Sequence, residues 1–233
     1  MKTRLQPLKI NLVKKKPIPK KPKSKRNLVL RSFRAIIKKK VLPKIKIIGE
    51  NVISQELKKG PVVILSSHNF KNDYFLIEAI SPKHVYAMGD PGVAIKQGTY
   101  IRSFDVPGVR EVMNQLGVIE INRKKPVAGL RSAIENSVGL LEKGEAICVF
   151  PKGYGGKEGV ARDQKLGEST SRSSALVIVQ EAEKRLGKKI PIVLVRSTES
   201  KGSVLMKMEK TYLPEKYDRK KLALDYIQRI ENL

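Results

Sequence analysis

Two polar side chains, His68 and Asp73, lie five positions apart in the segment SSHNFKND (66–73). A carboxylate that accepts the Nδ1–H of an imidazole fixes its tautomer and leaves Nε2 free to take a proton. If that proton comes from a substrate hydroxyl, the hydroxyl can attack an acyl carbonyl without a serine or cysteine nucleophile. The alternative is that both residues serve a strand–helix junction, where polar side chains cap the helix. The pair alone leaves both interpretations open.

The flanking residues predict where this pair lies in the fold. PVVILSS (61–67) is typical of a buried strand, and NDYFLIEAI (72–80) of a short helix that Asn72 or Asp73 caps. In open α/β sheets, functional groups gather beyond the carboxyl ends of the strands. His68 follows such an end directly.

The rest of the chain alternates strand and helix patterns, which predicts an α/β fold with a largely parallel, mixed sheet flanked by helices. The further predicted strands are 45–52, 84–89, 118–123, 145–151 and 190–197. The further predicted helices are 106–117, 126–144, 174–189 and 218–232.

Three more blocks follow the histidine block in order. VIEINRKKP (118–126) places Arg123 at a strand end, VFPKGYGGKEG (149–159) runs from a strand into a glycine-rich loop, and IPIVLVRS (190–197) is a proline-led strand. The loop glycines match neither the phosphate-loop nor the dinucleotide fingerprint.

These four ordered blocks resemble the glycerolipid acyltransferase family, which includes the 1-acylglycerol-3-phosphate acyltransferases. HNFKND resembles the family's H-x4-D block, GVIEINR its arginine-ended block, VFPKG its F-P-E-G block and IPIVLV its final strand, over roughly residues 44–200. The resemblance implies a glycerol-3-phosphate acyltransferase-like fold. It also implies transfer of a fatty acyl group from an acyl-carrier-protein or acyl-CoA thioester to a hydroxyl of a lysophospholipid such as 1-acylglycerol-3-phosphate. The thioester is a co-substrate, and no cofactor or metal is expected.

The resemblance also assigns roles to residues. His68 is the general base and Asp73 orients it, while Arg123, Lys152 and Gly153 bind the phosphate of the acceptor. A surface ion pair is the alternative role for Arg123. The third block departs from the family, because Lys152 stands where the family has Glu, and Tyr154 and Gly155 replace the Thr and Arg that usually follow. This departure leaves the acceptor open, since Lys152 or Lys157 supplies a point charge in place of a forked guanidinium.

The positive charge is concentrated at the N-terminus. Residues 1–46 contain 18 Lys and Arg and no acidic residue, which leaves 30 basic and 22 acidic residues, a net charge of +8, in the remainder. Residues 1–26 are predicted to be a basic, disordered tail, residues 27–43 an amphipathic helix and residues 44–233 the acyltransferase domain.

The predicted amphipathic helix has an apolar face and a basic face. The apolar face carries Val29, Leu30, Phe33, Ile36 and Ile37, and the basic face carries Arg31, Arg34 and Lys38. This composition is typical of a helix in a membrane interface, and equally of a helix docked on the protein's own core. An anionic membrane surface is therefore an expected partner, together with the lysophospholipid and the acyl donor.

The composition favours a peripheral protein at the cytoplasmic face of a membrane. No apolar run approaches the roughly 18–20 residues of a membrane span, and the single cysteine, Cys148, has the setting of a buried structural thiol. The first alternative function is a non-catalytic, lipid-binding relative of the family. A basic nucleic-acid-binding protein is the second, and it is disfavoured by an aromatic content of 5% without tryptophan.

Overall fold

The computed structural model describes residues 25–67, 73–89, 92–95, 99–102, 113–121, 126–151, 173–200 and 202–233. The described helices are α1 (Lys25–Lys40), α2 (Val52–Lys59), α3 (Asp73–Ile80), α4 (Pro126–Leu141), α5 (Ser174–Leu186) and α6 (Arg219–Asn232). The described strands are β1 (Ile45–Ile48), β2 (Val62–Ser66), β3 (Val85–Gly89), β4 (Gly92–Ile95), β5 (Thr99–Arg102), β6 (Val118–Glu120), β7 (Ala146–Val149), β8 (Ile192–Ser200) and β9 (Ser203–Thr211).

Seven strands form one mixed sheet in the order β1-β9-β8-β2-β7-β3-β6. Every neighbouring pair is parallel except β8 and β9, which form an antiparallel hairpin that ends at the pair Ser200 and Ser203. Gly202 in that hairpin has a φ of 77°, a conformation that glycine adopts without steric cost. The largely parallel mixed sheet flanked by helices is therefore confirmed. Strands β4 and β5 form a separate antiparallel pair.

The sheet has a hydrophobic core on each face, because successive side chains of a strand point to opposite sides. On one face, Ile64 of β2 and Val193 of β8 pack with α2 and α3; on the other, Leu65 and Leu194 pack with α4, α5 and α6. Central strand β2 is buried along its whole length, as expected for a strand covered on both sides.

Helix α1 packs on α3, on the first of these faces. The Phe33 and Phe75 rings meet edge to face with centroids 5.6 Å apart, and Ile37 is buried. Arg34 also points inward: its Nε lies 2.7 Å from Oε1 of the fully buried Glu78, and its Nη2 donates to the Ser81 carbonyl.

The predicted faces of this helix are therefore partly wrong. Arg34 lies on the docked side, where it compensates a buried carboxylate, whereas Ile36 is 56% exposed. Docking on the protein's own core is confirmed through Phe33, Arg34 and Ile37. The predicted positions of the Val29 and Leu30 side chains lie outside the described part of the structure.

Helix α6 closes the opposite face and is attached to β9 by polar contacts. The Tyr226 hydroxyl donates to the Tyr212 carbonyl at 2.9 Å, and the Arg229 guanidinium pairs with Glu209. Asp218 caps the helix by accepting a hydrogen bond from the Lys221 backbone N–H at 2.9 Å. The contacts of Tyr226 and Arg229 hold the C-terminal half of α6 against the end of β9.

Among the described helices, none has the length and apolarity that crossing a bilayer requires.

Candidate active site

The carboxyl ends of five parallel strands, β8, β2, β7, β3 and β6, meet at one edge of the sheet. At this edge the Ser67 N–H donates to the Val195 carbonyl at 2.9 Å, and the Ser67 Oγ accepts from the Ser197 N–H at 3.2 Å. The Ser66 hydroxyl donates to the Ser67 carbonyl at 3.0 Å. These bonds fix the end of β2 against β8 just before the chain reaches residue 68.

The predicted site residues follow these strand ends in the chain. His68 comes directly after Ser67, Lys152 and Gly153 come directly after Pro151, and Arg123 comes two residues after Ile121. All four, with Asn72, Tyr154, Gly155 and Lys157, lie outside the described residues. The structure describes one predicted site residue, Asp73.

Asp73 is the first residue of α3, and its side chain is buried, with 1% exposure. Burial raises the pKa of the Cys148 thiol on β7 well above its usual value, and the charge of the Asp73 carboxylate raises this pKa further. The thiol is fully buried and held in its neutral form, which confirms the prediction of a structural cysteine.

The polar contacts of two side chains, Tyr74 and Glu78, fix α3, and with it Asp73, on the sheet. The Tyr74 hydroxyl lies 2.9 Å from the Val85 carbonyl and 3.0 Å from the Leu116 carbonyl. Burial raises the pKa of Tyr74 well above its usual value, so this hydroxyl stays a donor. One turn further along, Glu78 Oε2 accepts from the Val85 N–H at 2.9 Å.

The second histidine of the chain has a structural position. His84 Nδ1 lies 3.2 Å from Oε1 of Glu78, and the ring packs edge to face on Tyr86. Its Nε2 faces Gly117, where an added Cβ would come within 2.2 Å of that nitrogen. This close approach, together with a φ of 78°, accounts for glycine at position 117.

A cavity of about 290 Å³ opens at the same edge, on the face that α6 covers. The ends of β2 and β7 contribute Ser66, Ser67 and Pro151 to its walls, and the middle of β8 contributes Arg196. Helix α6 contributes Ile227, Ile230 and Glu231. The α6 side therefore combines two aliphatic side chains with a glutamate, and the strand side combines two serines and a proline with a guanidinium.

The sequence did not identify Arg196 as a site residue. It belongs to IPIVLVRS, the last of the four blocks, but it was assigned only to the strand. Arg196 Nη1 donates to the Glu231 backbone carbonyl, which is the one hydrogen bond of its guanidinium within the described part of the chain. The available signal was a permanent cation directly after the apolar run IPIVLV.

The described residues contain no convergent group of three or more histidine, cysteine or carboxylate side chains that could hold a metal ion. In the described part of the chain, a buried carboxylate thus lies on one face of the sheet and a cavity of mixed lining on the other.

The comparisons with known proteins agree with this architecture. A search of curated protein sequences finds no significant match. Among solved structures, the chain is similar to the 1-acyl-sn-glycerophosphate (LPA) acyltransferase PlsC from Thermotoga maritima, with a TM-score of 0.52, 15% identity and coverage of 89% of this chain and 79% of that chain. At this identity the likeness shows the fold.

The family is shown by a model comparison. The Acyltransferase family model matches residues 44–197, a span that contains all four blocks and every predicted site residue. The chain belongs to the acyltransferase family.

Proposed function

We propose that this protein is a peripheral membrane O-acyltransferase that moves a fatty acyl group from an acyl thioester to a hydroxyl of a lysophospholipid. The observation that carries the proposal is that the family match and the sheet topology agree: the strands of the four blocks, β2, β6, β7 and β8, belong to one sheet and run parallel toward the same edge. Buried Asp73 lies at that edge, five positions after the histidine of its block.

In the proposed reaction, His68 Nε2 takes the proton of the acceptor hydroxyl while the Asp73 carboxylate holds Nδ1–H and stabilises the imidazolium. The hydroxyl oxygen forms a bond to the thioester carbonyl carbon, and the C–S bond then breaks. The proton passes from the imidazolium to the leaving sulfur, so the products are an ester and a free thiol. Arg123, Lys152 and Gly153 hold the acceptor's phosphate.

The proposed location is the cytoplasmic face of an anionic membrane. Helix α1 supports this, because its docked side leaves Ile36 exposed beside Lys38, Lys39 and Lys40. An apolar side chain among cations suits the headgroup region of a bilayer with anionic lipids.

The test is thiol release by the purified full chain, supplied with a panel of lysolipids and with acyl-CoA or acyl-carrier-protein thioesters. We expect thiol release with at least one lysophospholipid, and its loss in His68→Ala at an unchanged thermal unfolding midpoint. Asp218→Asn is the control, because asparagine caps a helix as well as aspartate does.

A wild-type chain that releases no thiol with any pair would contradict the proposal. If that chain still bound vesicles that contain lysophospholipid, the result would favour a non-catalytic, lipid-binding relative, the alternative suggested by Lys152 in place of glutamate.

A further inference from the structure

The last hydrogen bond between β2 and β8 departs from the pattern of the ladder that precedes it. The Val63 N–H donates to the Pro191 carbonyl at 3.1 Å. In the same way, the Ser67 N–H donates to the Val195 carbonyl at 2.9 Å. If this parallel pattern continued, the Ser67 carbonyl would accept the next bond, from the Ser197 N–H. The Ser197 N–H donates to the Ser67 Oγ instead, at 3.2 Å, so the side chain of Ser67 takes the ladder position of its own carbonyl.

The Ser67 carbonyl is bound by a second hydroxyl, because Ser66 Oγ donates to it at 3.0 Å. Ser66 is 1% exposed and Ser67 is 8% exposed, so water competes little for either bond. A buried backbone carbonyl needs a hydrogen-bond partner, and the Ser66 hydroxyl supplies one outside the ladder. The two hydroxyls together therefore allow the backbone to leave the sheet directly after Ser67.

The bonds of the two serines also set where the next residue begins. A peptide group is planar, so the Ser67 carbonyl shares a plane with the backbone nitrogen and the Cα of the residue that follows. That residue is His68, the general base of the proposed function. The position of a general base matters strongly, because a displacement of about 1 Å can lower a rate about a hundredfold.

We infer that Ser66 and Ser67 are positioning residues for the general base: their hydroxyls hold the last peptide group of β2 so that the His68 ring meets the Asp73 carboxylate. This inference rests on the proposed function and adds two residues to its machinery. Asp73 is held separately, through the bonds of Tyr74 on α3, so the contact between base and carboxylate depends on how β2 ends.

The test compares Ser67→Ala with the wild type by steady-state kinetics of thiol release. We expect kcat to fall about tenfold to a hundredfold, with little change in the KM for either substrate, because the substitution displaces the base and leaves the substrate contacts. Ser66→Ala should act in the same direction. Ser67→Thr should recover most of kcat, since it keeps the hydroxyl and its added methyl group has room in the cavity beside Ser67.

Ser137→Ala is the matched control. Ser137 is fully buried on α4, and its hydroxyl donates to the Ala133 carbonyl of the same helix at 2.8 Å. Each alanine variant loses one buried hydrogen bond, so each should lower the thermal unfolding midpoint by about 2–4 °C. Only the variants of Ser66 and Ser67 should lower kcat. An equal kcat in Ser67→Ala and Ser137→Ala would show that Ser67 only stabilises the strand end, and the inference would be wrong.

A spectroscopic measurement separates this inference from the proposed function. Nitrogen-15 NMR of the full chain with labelled histidine distinguishes the Nδ1–H from the Nε2–H tautomer of a neutral ring. The chain has two histidines, so His68→Ala assigns both sets of signals. We expect the Nδ1–H tautomer at His68 in the wild type, because the bond to Asp73 requires it, and a mixture of tautomers in Ser67→Ala. The signals of His84 should stay unchanged.

The two measurements together give distinct outcomes. A wild type that shows the Ser67-dependent tautomer but releases no thiol would contradict the proposed function and support the positioning role. Thiol release that His68→Ala abolishes, with the same tautomer in the wild type and in Ser67→Ala, would do the reverse. A loss of kcat in Ser67→Ala that Ser67→Thr does not restore would also overturn the inference, since the hydroxyl would then not be the group that matters.

Discussion

At the scale of single residues, Asp73 is the one predicted site residue that the structure describes. The H-x4-D spacing selected it, and the structure buries its side chain at the start of α3. A carboxylate in such a position can orient an imidazole because its own position is fixed: α3 is held by Tyr74 and by Glu78.

We expect Asp73→Asn to lower kcat at least about a hundredfold with little change in KM, because the amide neither fixes the tautomer nor stabilises the imidazolium. Thiol release over a range of both substrates measures the effect. Asp218→Asn serves as the matched change at an exposed helix cap and should match the wild type. A fall in the thermal midpoint that accounts for the lost activity would assign Asp73 a structural role instead.

At the scale of elements, the contact between α1 and α3 depends on a buried ion pair. Glu78 has no exposed side-chain surface, and it is contacted by Arg34, His84 and the Val85 N–H. Removing one partner of such a pair leaves a charge buried without compensation, which costs more than the intact pair contributes.

Arg34→Ala should therefore lower the free energy of unfolding by about 3 kcal/mol. Urea denaturation followed by circular dichroism measures this change. Arg31→Ala is the control, since Arg31 lies on the exposed side of the same helix, and it should change the free energy by less than about 0.5 kcal/mol. Equal effects of the two substitutions would mean that the loss in free energy of unfolding comes from general helix propensity and not from the pair with Glu78.

A second element contact predicts a pH dependence. Burial raises the pKa of Glu56 on α2, but hydrogen bonds from Lys59 and from Lys210 on β9 outweigh it and hold this pKa below its usual value of 4.5. A carboxyl with a lowered pKa in the folded state stabilises the fold above its unfolded pKa. This contribution to stability is lost as the pH falls below about 4.5 and through the lowered pKa of Glu56.

Lys210→Met should thus destabilise the protein at pH 7, and its difference from the wild type should shrink as the pH falls from 4.5 towards 3. Urea denaturation at several pH values measures the difference. Lys58→Met, on the exposed part of α2, should show no such trend. A difference between Lys210→Met and the wild type that stays constant across this range would contradict the role of Glu56.

At the scale of the whole molecule, the two faces of the sheet have different surroundings. Arg31, Lys38, Lys39 and Lys40 project from α1 on one side, while α6 covers the other. Each cation near an anionic bilayer contributes roughly 1 kcal/mol, so this side is the one expected to meet a membrane.

Ile36→Asp should weaken binding to vesicles that contain anionic lipid, because it places a carboxylate where an exposed apolar side chain would enter the headgroup region. Flotation of the full chain with anionic and with neutral vesicles, at low and high salt, measures binding. Leu224→Asp is the matched control: Leu224 is 48% exposed on α6, and its substitution should leave binding unchanged. If Leu224→Asp weakens flotation as much as Ile36→Asp, α1 does not define the membrane side.

The strands and helices with a clear pattern of apolar residues were predicted well, and those whose apolar pattern is interrupted were not. PVVILSS and IPIVLV are continuous apolar runs, and both are central strands. Helix α2 and strand β9 were missed because charged residues interrupt their patterns: β9 reads SVLMKMEKT and is largely half-buried. The β4–β5 hairpin was missed as well.

The sequence by itself determined the α/β class, the mostly parallel order and the H-x4-D pair, because apolar periodicity and motif spacing are local properties of the chain. Only the tertiary structure decided that Arg34 turns inward to Glu78 and that Arg196 meets α6 at a cavity beside the end of β2. These contacts join residues 44 and 35 positions apart, and pairings over such separations are set by packing, which no local pattern records.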